Sequence, residues 1–379
     1  MIWTRRSMLA SSAAGLLGLA ALRRPLHAAV AQPRQGLRIL FLGGTGFIGP
    51  HMVRNALERG HRVTLFTRGR TGTDLFPQAE RLIGDRNGKL DALKGKSWDV
   101  VIDNSGYVPA HVRESAELLK GSVGHYLYTS TVDAYRDYFA AGIDESYPLA
   151  TLPAGAPHDP RRYYGPLKAL CEEEVAKVYP NDYTVVRPGW IVGPGDNNHL
   201  FTYWVMRVDR GGEVLAPGTP DDPFQMIDAR DLGRWVIEMV ERPRGGRYTA
   251  VGPVMRFAEM LYGVKAVTTT PSTFTWVDAD FLAEQKVRPY FDMPLWWPPR
   301  NDYQVPGVPA GLGGGVGAFA LSGAKAAAAG LTHRPLAEVA LDTLTWYRAE
   351  HGEWPDGQRP GLTAAREREL LAAWDAKGR

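Results

Sequence analysis

The seven residues Gly43-Gly44-Thr45-Gly46-Phe47-Ile48-Gly49 constrain this chain more than any others. They follow at once on Leu37-Arg38-Ile39-Leu40-Phe41-Leu42, an apolar run with the length and flanks of a buried strand. Residues 51–59 then read as a helix closed by Gly60, and His61-Arg62-Val63-Thr64-Leu65-Phe66 as a second strand. A glycine triplet alone says little. Between a strand and a helix it has a mechanical reason. Gly43 permits the tight turn, Gly46 lets backbone approach a pyrophosphate, and Gly49 lets the helix pack closely on the strand. An anion there sits on the helix N-terminus, where free N–H groups and the dipole favour negative charge.

Val100-Val101-Ile102-Asp103 and His125-Tyr126-Leu127-Tyr128 read as further parallel strands, each leading into a loop at the sheet's carboxyl edge, where ligands bind. The expectation is an α/β chain. A Rossmann doubly wound parallel sheet fills residues 32–190, and a smaller, mostly helical substrate region, interleaved with the end of the sheet, fills 191–379. Thr45, Phe47 and Ile48 line the glycine turn, and Asn104 opens the loop after the Val100 strand. Asp85, in Gly84-Asp85-Arg86, is either an adenine neighbour or a solvated loop acid. At the end of the second strand, NAD-binding chains usually place an acid for the ribose 2′-hydroxyl. Here stands Thr67-Arg68-Gly69-Arg70, which suits a 2′-phosphate and favours NADP over NAD. Arg68 stacked on adenine would serve either cofactor.

Tyr164-Gly165-Pro166-Leu167-Lys168 puts a Tyr and a Lys four apart, on one helix face. A nearby ammonium stabilises phenolate, so the pairing predicts a lowered Tyr164 pKa. Upstream, Tyr128-Thr129-Ser130-Thr131 ends a strand in hydroxyls that can face Tyr164 across a substrate oxygen.

Together these motifs resemble the extended short-chain dehydrogenases/reductases, in their NAD-dependent epimerase/dehydratase branch, from about residue 37 to at least 240. The resemblance implies that Tyr164 is the catalytic acid/base, that Lys168 tunes it and holds the nicotinamide ribose, and that Thr131 is the catalytic Ser/Thr. It implies that the Arg187–Gly195 segment, with Pro188, lines the nicotinamide side, and that Asp228–Leu232 leads into a later helix. Asp133 matches the position where sugar dehydratases place an acid; the other reading is a capping or solvated Asp. Many nucleotide-sugar members carry an Arg where this chain has Phe224, a departure that weakens a UDP-sugar reading. The implied activity is epimerase- or dehydratase-like, on a sugar or polyol through a transient ketone with retained cofactor. The rivals are NADPH-dependent reduction of a ketone or aldehyde and, from another class, a nucleotide-sensing or RNA-binding module. The resemblance also suggests a homodimer.

The formal charge is +3, but residues 1–31 hold Arg5, Arg6, Arg23 and Arg24 and no acid; without them it is −1. That balance disfavours nucleic acid as a partner, which leaves a small-molecule substrate. The same leader, with paired Arg, a short apolar stretch to Leu22 and Ala29-Val30-Ala31, resembles a twin-arginine export signal. The expectation is therefore a periplasmic protein without a stable membrane anchor after cleavage. Cys171 alone forms no intrachain disulfide and reads as helix packing. No His/Cys/Asp cluster has metal-ligand spacing, so no metal is expected. Phe201-Thr202-Tyr203-Trp204 is either a sugar-stacking surface or aromatic core. Residues 294–317, rich in Pro and Gly, read as a lid or partner surface, with disorder the competing reading for 307–317. Residues 362–375 read as a docking helix.

Overall fold

Seven parallel strands make the central sheet of the computed structural model, which describes residues 34–303 and 314–378. The leader, and residues 304–313 of the Pro/Gly-rich stretch, lie outside the described residues. The first half runs β1 (Arg38–Leu42), α1 (Gly49–Glu58), β2 (Arg62–Thr67), β3 (Glu80–Ile83), β4 (Trp98–Asp103), α2 (Pro109–Leu119), β5 (Val123–Thr129), α3 (Pro160–Val178) and β6 (Tyr183–Pro188). The second half opens with β7 (Ile191–Val192), α4 (Leu200–Arg210), β8 (Gly212–Pro217), β9 (Pro223–Phe224), β10 (Ile227–Asp228), α5 (Ala229–Glu241) and β11 (Gly246–Ala250). It continues with β12 (Met255–Arg256), α6 (Phe257–Lys265), β13 (Ser272–Val277), α7 (Ala279–Glu284), α8 (Ala324–Ala328), α9 (Leu336–His351) and α10 (Ala364–Ala376).

The sheet order is β3-β2-β1-β4-β5-β6-β11. Strand order reverses between β1 and β4, which opens a crevice at their carboxyl ends. The expected doubly wound α/β architecture is present. Residues Ile39 to Leu42 are fully buried, as a parallel sheet covered on both faces requires. One face packs on α1 and α5 around Trp235, the other on α2 and α3 around Tyr126 and Tyr128. The chain beyond residue 190 returns β11 to the sheet edge before completing the helical region.

That region has its own core, and it decides several open readings. Phe201, Tyr203 and Trp204 lie buried in α4, so this run is core and not a stacking surface. Phe224 is fully buried between Phe257 and Phe319, with ring centroids 5.7 and 6.2 Å away. The described flanks of the 294–317 stretch are packed as well. Trp296 donates its indole N–H to Asp222 at 2.8 Å, and Gly317 sits against the Tyr138 carbonyl. In α10, Glu367 is buried in an ion pair with Arg207, and Leu370 and Leu371 join the core. Cys171 is buried and its thiol is pushed up to about 11, which leaves it inert packing. No helix among the described residues is long and apolar enough to cross a membrane.

One buried ion pair holds α3 to the sheet. Arg187 of β6 grips Glu172 of α3 with two hydrogen bonds, of 2.9 and 2.6 Å, and both side chains are almost fully enclosed. Breaking such a pair leaves a buried charge uncompensated. Arg187→Ala should therefore cost roughly 3–5 kcal/mol of unfolding free energy, measured by urea titration. A loss below about 1 kcal/mol would show that the pair is not needed.

Candidate active site

The glycine turn folds as its residues require. Gly43 and Gly44 have φ of +104° and +101°, which only glycine adopts without strain. A Cβ on Gly49 would lie 2.5 Å from the Gly44 backbone, so the close approach is between helix start and turn. A Cβ on Gly46 would meet nothing within 4 Å, so this glycine faces open space. Ile48 at the N-cap of α1 offers no side-chain cap, and the first turn carries no acid. The leading N–H groups of α1 are thus left to an anion.

A cleft of about 490 Å³ opens there. It is lined by Gly43, Thr45, Gly46, Phe47, Ile48, Gly49, Thr67, Arg68, Asp85 and Asn104, all expected from sequence, and by Ser105, Tyr107 and His111, which were not. Asp85 is held below the usual carboxylate range, first by the Asn87 backbone N–H and further by the charges of Arg68 and Arg70. Beneath the cleft, Arg86 donates to Asp103 at 2.6 and 2.9 Å, and the Tyr126 hydroxyl adds a third bond at 2.7 Å. This buried network fixes the end of β4.

A second cavity, about 380 Å³, shares Phe47, Ile48, Asn104 and Tyr107 with the first. It gathers Thr131, Asp133, Tyr164, Lys168 and Pro188, with Trp190 and Tyr290 on the far wall. α3 delivers Tyr164 through a break. Tyr163 has non-helical angles (φ −128°, ψ 42°), and the helix restarts with Gly165 and Pro166 in its new first turn, where proline's missing N–H is harmless. A Cβ on Gly165 would stand 1.9 Å from the Asp133 carbonyl oxygen. Only glycine lets the helix press so closely on the Thr131–Asp133 turn. In that turn the Asp133 N–H donates to the Thr131 hydroxyl at 3.1 Å, and Tyr138 donates to the Asp133 carboxylate at 2.7 Å. Thr131 thus caps the turn, and the Asp133 carboxylate, held by Tyr138, faces the cavity.

The electrostatics correct one expectation. Tyr164 is not lowered. Burial raises it, Asp133 and Tyr107 add to the rise, and the Thr131 hydroxyl opposes them. The lysine, meanwhile, is engaged elsewhere. Lys168 donates to the carbonyls of Thr129 at 2.6 Å and Gly106 at 3.0 Å, with Tyr128 4.3 Å below its ammonium. Burial pulls Lys168 down to about 8 and pushes Asp133 up. Tyr290 sits on the far wall with its hydroxyl pushed up to about 12 by burial, then by Asp133 and Asp196. No local motif marks Tyr107 or Tyr290. Among the described residues, no three His, Cys, Asp or Glu side chains gather as a metal-holding group.

Residues 39–251 match the NAD dependent epimerase/dehydratase family. The chain belongs to that family. By this membership it is an enzyme of the short-chain dehydrogenase/reductase type. It is 25% identical over 226 residues to the Arabidopsis thaliana chloroplast stem-loop binding protein of 41 kDa b, covering 55% of this chain and 57% of that protein. It is 25% identical over 257 residues to sterol demethylase protein B of Methylococcus capsulatus, covering 61% and 75%. In fold it is similar to UDP-glucuronic acid 4-epimerase from Bacillus cereus, solved with NAD, at a TM-score of 0.58 and 13% identity over 84% of this chain and 98% of that one. The open face at Gly46 and the uncapped α1 N-terminus fit the pyrophosphate of an NAD(P) cofactor, in keeping with the family.

The lysine shift has a sign that can be measured. Lys168 titrates near 8 folded, against 10.5 for an ordinary lysine, so between these values the unfolded chain binds more protons. Its burial penalty is full below pH 8 and is relieved as pH rises toward 10.5. Urea titrations of wild type and Lys168→Met should show the wild type gaining, relative to the variant, about 3 kcal/mol from pH 7.5 to 10.5. A flat difference would place Lys168 in a solvated setting.

Proposed function

We propose that the protein is an NAD(P)-dependent, epimerase/dehydratase-like enzyme that acts on a sugar or similar polyol through a transient ketone and keeps its cofactor between turnovers. The observation that carries this reading is that Thr131, Asp133, Tyr164 and Lys168 meet in one cavity continuous with the glycine-loop cleft. In the proposal, Tyr164 exchanges a proton with the reacting substrate oxygen, and Thr131 hydrogen-bonds that oxygen from the opposite side. Lys168, anchored through Gly106 and Thr129, holds the ribose next to the nicotinamide. Burial raises Asp133 above the usual carboxylate range, and in the proposal it serves as a second acid, suited to removal of a substrate hydroxyl as water. The bound nicotinamide supplies reversible hydride transfer. Arg68 and Arg70 line the adenosine end, which supports NADP over NAD.

The family name and the similarity to a sugar 4-epimerase support the sugar reading. Residues 1–31 add export by the twin-arginine route to the proposal. Chemistry that returns its hydride each turnover suits a compartment poor in free cofactor. A second reading, net reduction of a ketone with NADPH, is favoured by the raised Tyr164, because a neutral phenol is already the proton donor that reduction needs. A binding-only role, as in the name of the Arabidopsis relative, is disfavoured by the Tyr164/Lys168 pair inside the cavity.

Two measurements test the proposal. The exported protein, purified without added cofactor and denatured, should release about one equivalent of NADP(H) per chain, read by mass spectrometry. None released, with substrate-dependent loss of 340 nm absorbance on adding NADPH, would favour the reductase. Tyr164→Phe should lower turnover by a factor of ~10²–10⁴. Near-normal turnover would sink the assignment of the acid/base.

A further inference from the structure

The far wall of the cavity joins Trp190, from the Arg187–Gly195 segment, to Tyr290, from a segment that no motif marked. Trp190 and Tyr290 line the cavity of Thr131 and Lys168, and with Asp133 and Tyr164 they also line an adjoining cavity of about 460 Å³. Phe291 and Trp297 extend that second cavity. Tyr290 is the hub of these rings. Its centroid lies 5.4 Å from Trp190, 5.4 Å from Phe291 and 6.1 Å from Trp297, the last nearly parallel at 16°.

The backbone at Tyr290 is held in an unusual state. Its φ is +66°, the left-handed region that a bulky residue enters only when its surroundings enforce it. The enforcing contacts are present. The Tyr290 N–H donates to the carbonyls of Met293 at 2.9 Å and Trp296 at 3.2 Å. Asp292 accepts from the Arg288 backbone at 2.8 Å and from Arg359 at 2.5 Å, and Gly361 donates to the Phe291 carbonyl at 2.9 Å. This bracing aims a side chain whose hydroxyl makes no hydrogen bond among the described residues. The Trp190 indole N–H is buried and has no partner among the described residues. The Tyr290 hydroxyl feels the charges of Asp133 and Asp196 and acts in turn on Tyr164.

We propose that Tyr290 is a substrate-reading residue. Its ring is a platform for one face of a pyranose or similar cyclic polyol, the Trp190 ring, tilted 45° to it, closes the side, and its hydroxyl binds a ring hydroxyl on the side facing Tyr164. A flat, purely aromatic ligand needs no polar partners around its rim. Here Thr131, Asp133, Tyr164 and Tyr290 all present polar atoms to one space beside an aromatic wall. That pairing suits a ring with C–H faces and hydroxyls along its edge. The inference rests on the function proposed above and assigns the wall that selects its substrate.

The test uses the full, cofactor-loaded protein and four probes: methyl β-D-glucopyranoside, D-glucuronate, UDP-glucose and, as a flat aromatic control without hydroxyls, unsubstituted flavone. Binding is read by saturation-transfer NMR and tryptophan fluorescence. At least one pyranose probe should bind the wild type. Tyr290→Phe should weaken it about tenfold and Tyr290→Ala about a hundredfold, with bound NAD(P) unchanged in both. Unchanged pyranose affinity in both variants, binding of flavone alone, or no pyranose binding at all overturns the proposal. Turnover of the bound pyranose by Tyr164→Phe is measured in parallel. Lost turnover there with unaffected Tyr290 variants overturns only the role of Tyr290. Full turnover in Tyr164→Phe overturns the underlying acid/base reading and leaves the Tyr290 binding result standing.

Discussion

The site depends on one carboxylate, Glu172, more than on any residue that lines it. Glu172 lies one helical turn beyond Lys168 on α3. It accepts from the Ser130 hydroxyl at 2.6 Å, from Arg187 at 2.9 and 2.6 Å, and from Arg247 at 3.3 Å. Ser130 precedes Thr131, and Arg187 precedes Pro188. A single buried charge thus ties the helix of Tyr164 and Lys168 to the ends of β5 and β6 and to β11. A carboxylate at this depth is tolerable only with its partners in place, so these contacts form together or not at all. The register between helix and strand ends is fixed accordingly.

A steric constraint works at the other end of the same helix. The contact of Gly165 with the Asp133 carbonyl leaves no room for a side chain, and the break at Tyr163 lets the helix restart at that point. Tyr164 emerges from the restart beside Thr131. It is 37% exposed and lines the cavity with Thr131 and Asp133.

These constraints mark how far the sequence could be read. The strand, glycine turn and helix at residues 37–60 are contiguous, and each piece has a local reason, so fold class and the anion-binding end were legible. The Tyr164/Lys168 spacing gave a shared helix face. It did not give the direction of the ammonium, because the carbonyls that capture Lys168 come from residues 106 and 129. Phe201–Trp204 shows the same limit, since a buried aromatic run and a stacking surface look alike until α6 and α9 close over α4. Glu172 and Tyr290 were invisible for a related reason. Their partners lie up to 75 residues away for Glu172, and Tyr290 meets Trp190 only across the fold.

The finished cleft is divided electrically. At one end the α1 N-terminus, Arg68 and Arg70 favour anionic groups. At the other, burial moves Asp133, Lys168 and Tyr164 all toward stronger preference for their neutral forms. Charge is thereby welcome where a ligand is held and disfavoured where a substrate oxygen would react. The proton exchange proposed for Tyr164 would then run between groups that the fold holds in place. The Tyr290 hydroxyl makes no hydrogen bond among the described residues, so a ligand that supplies one is favoured over a ligand that only fills the space.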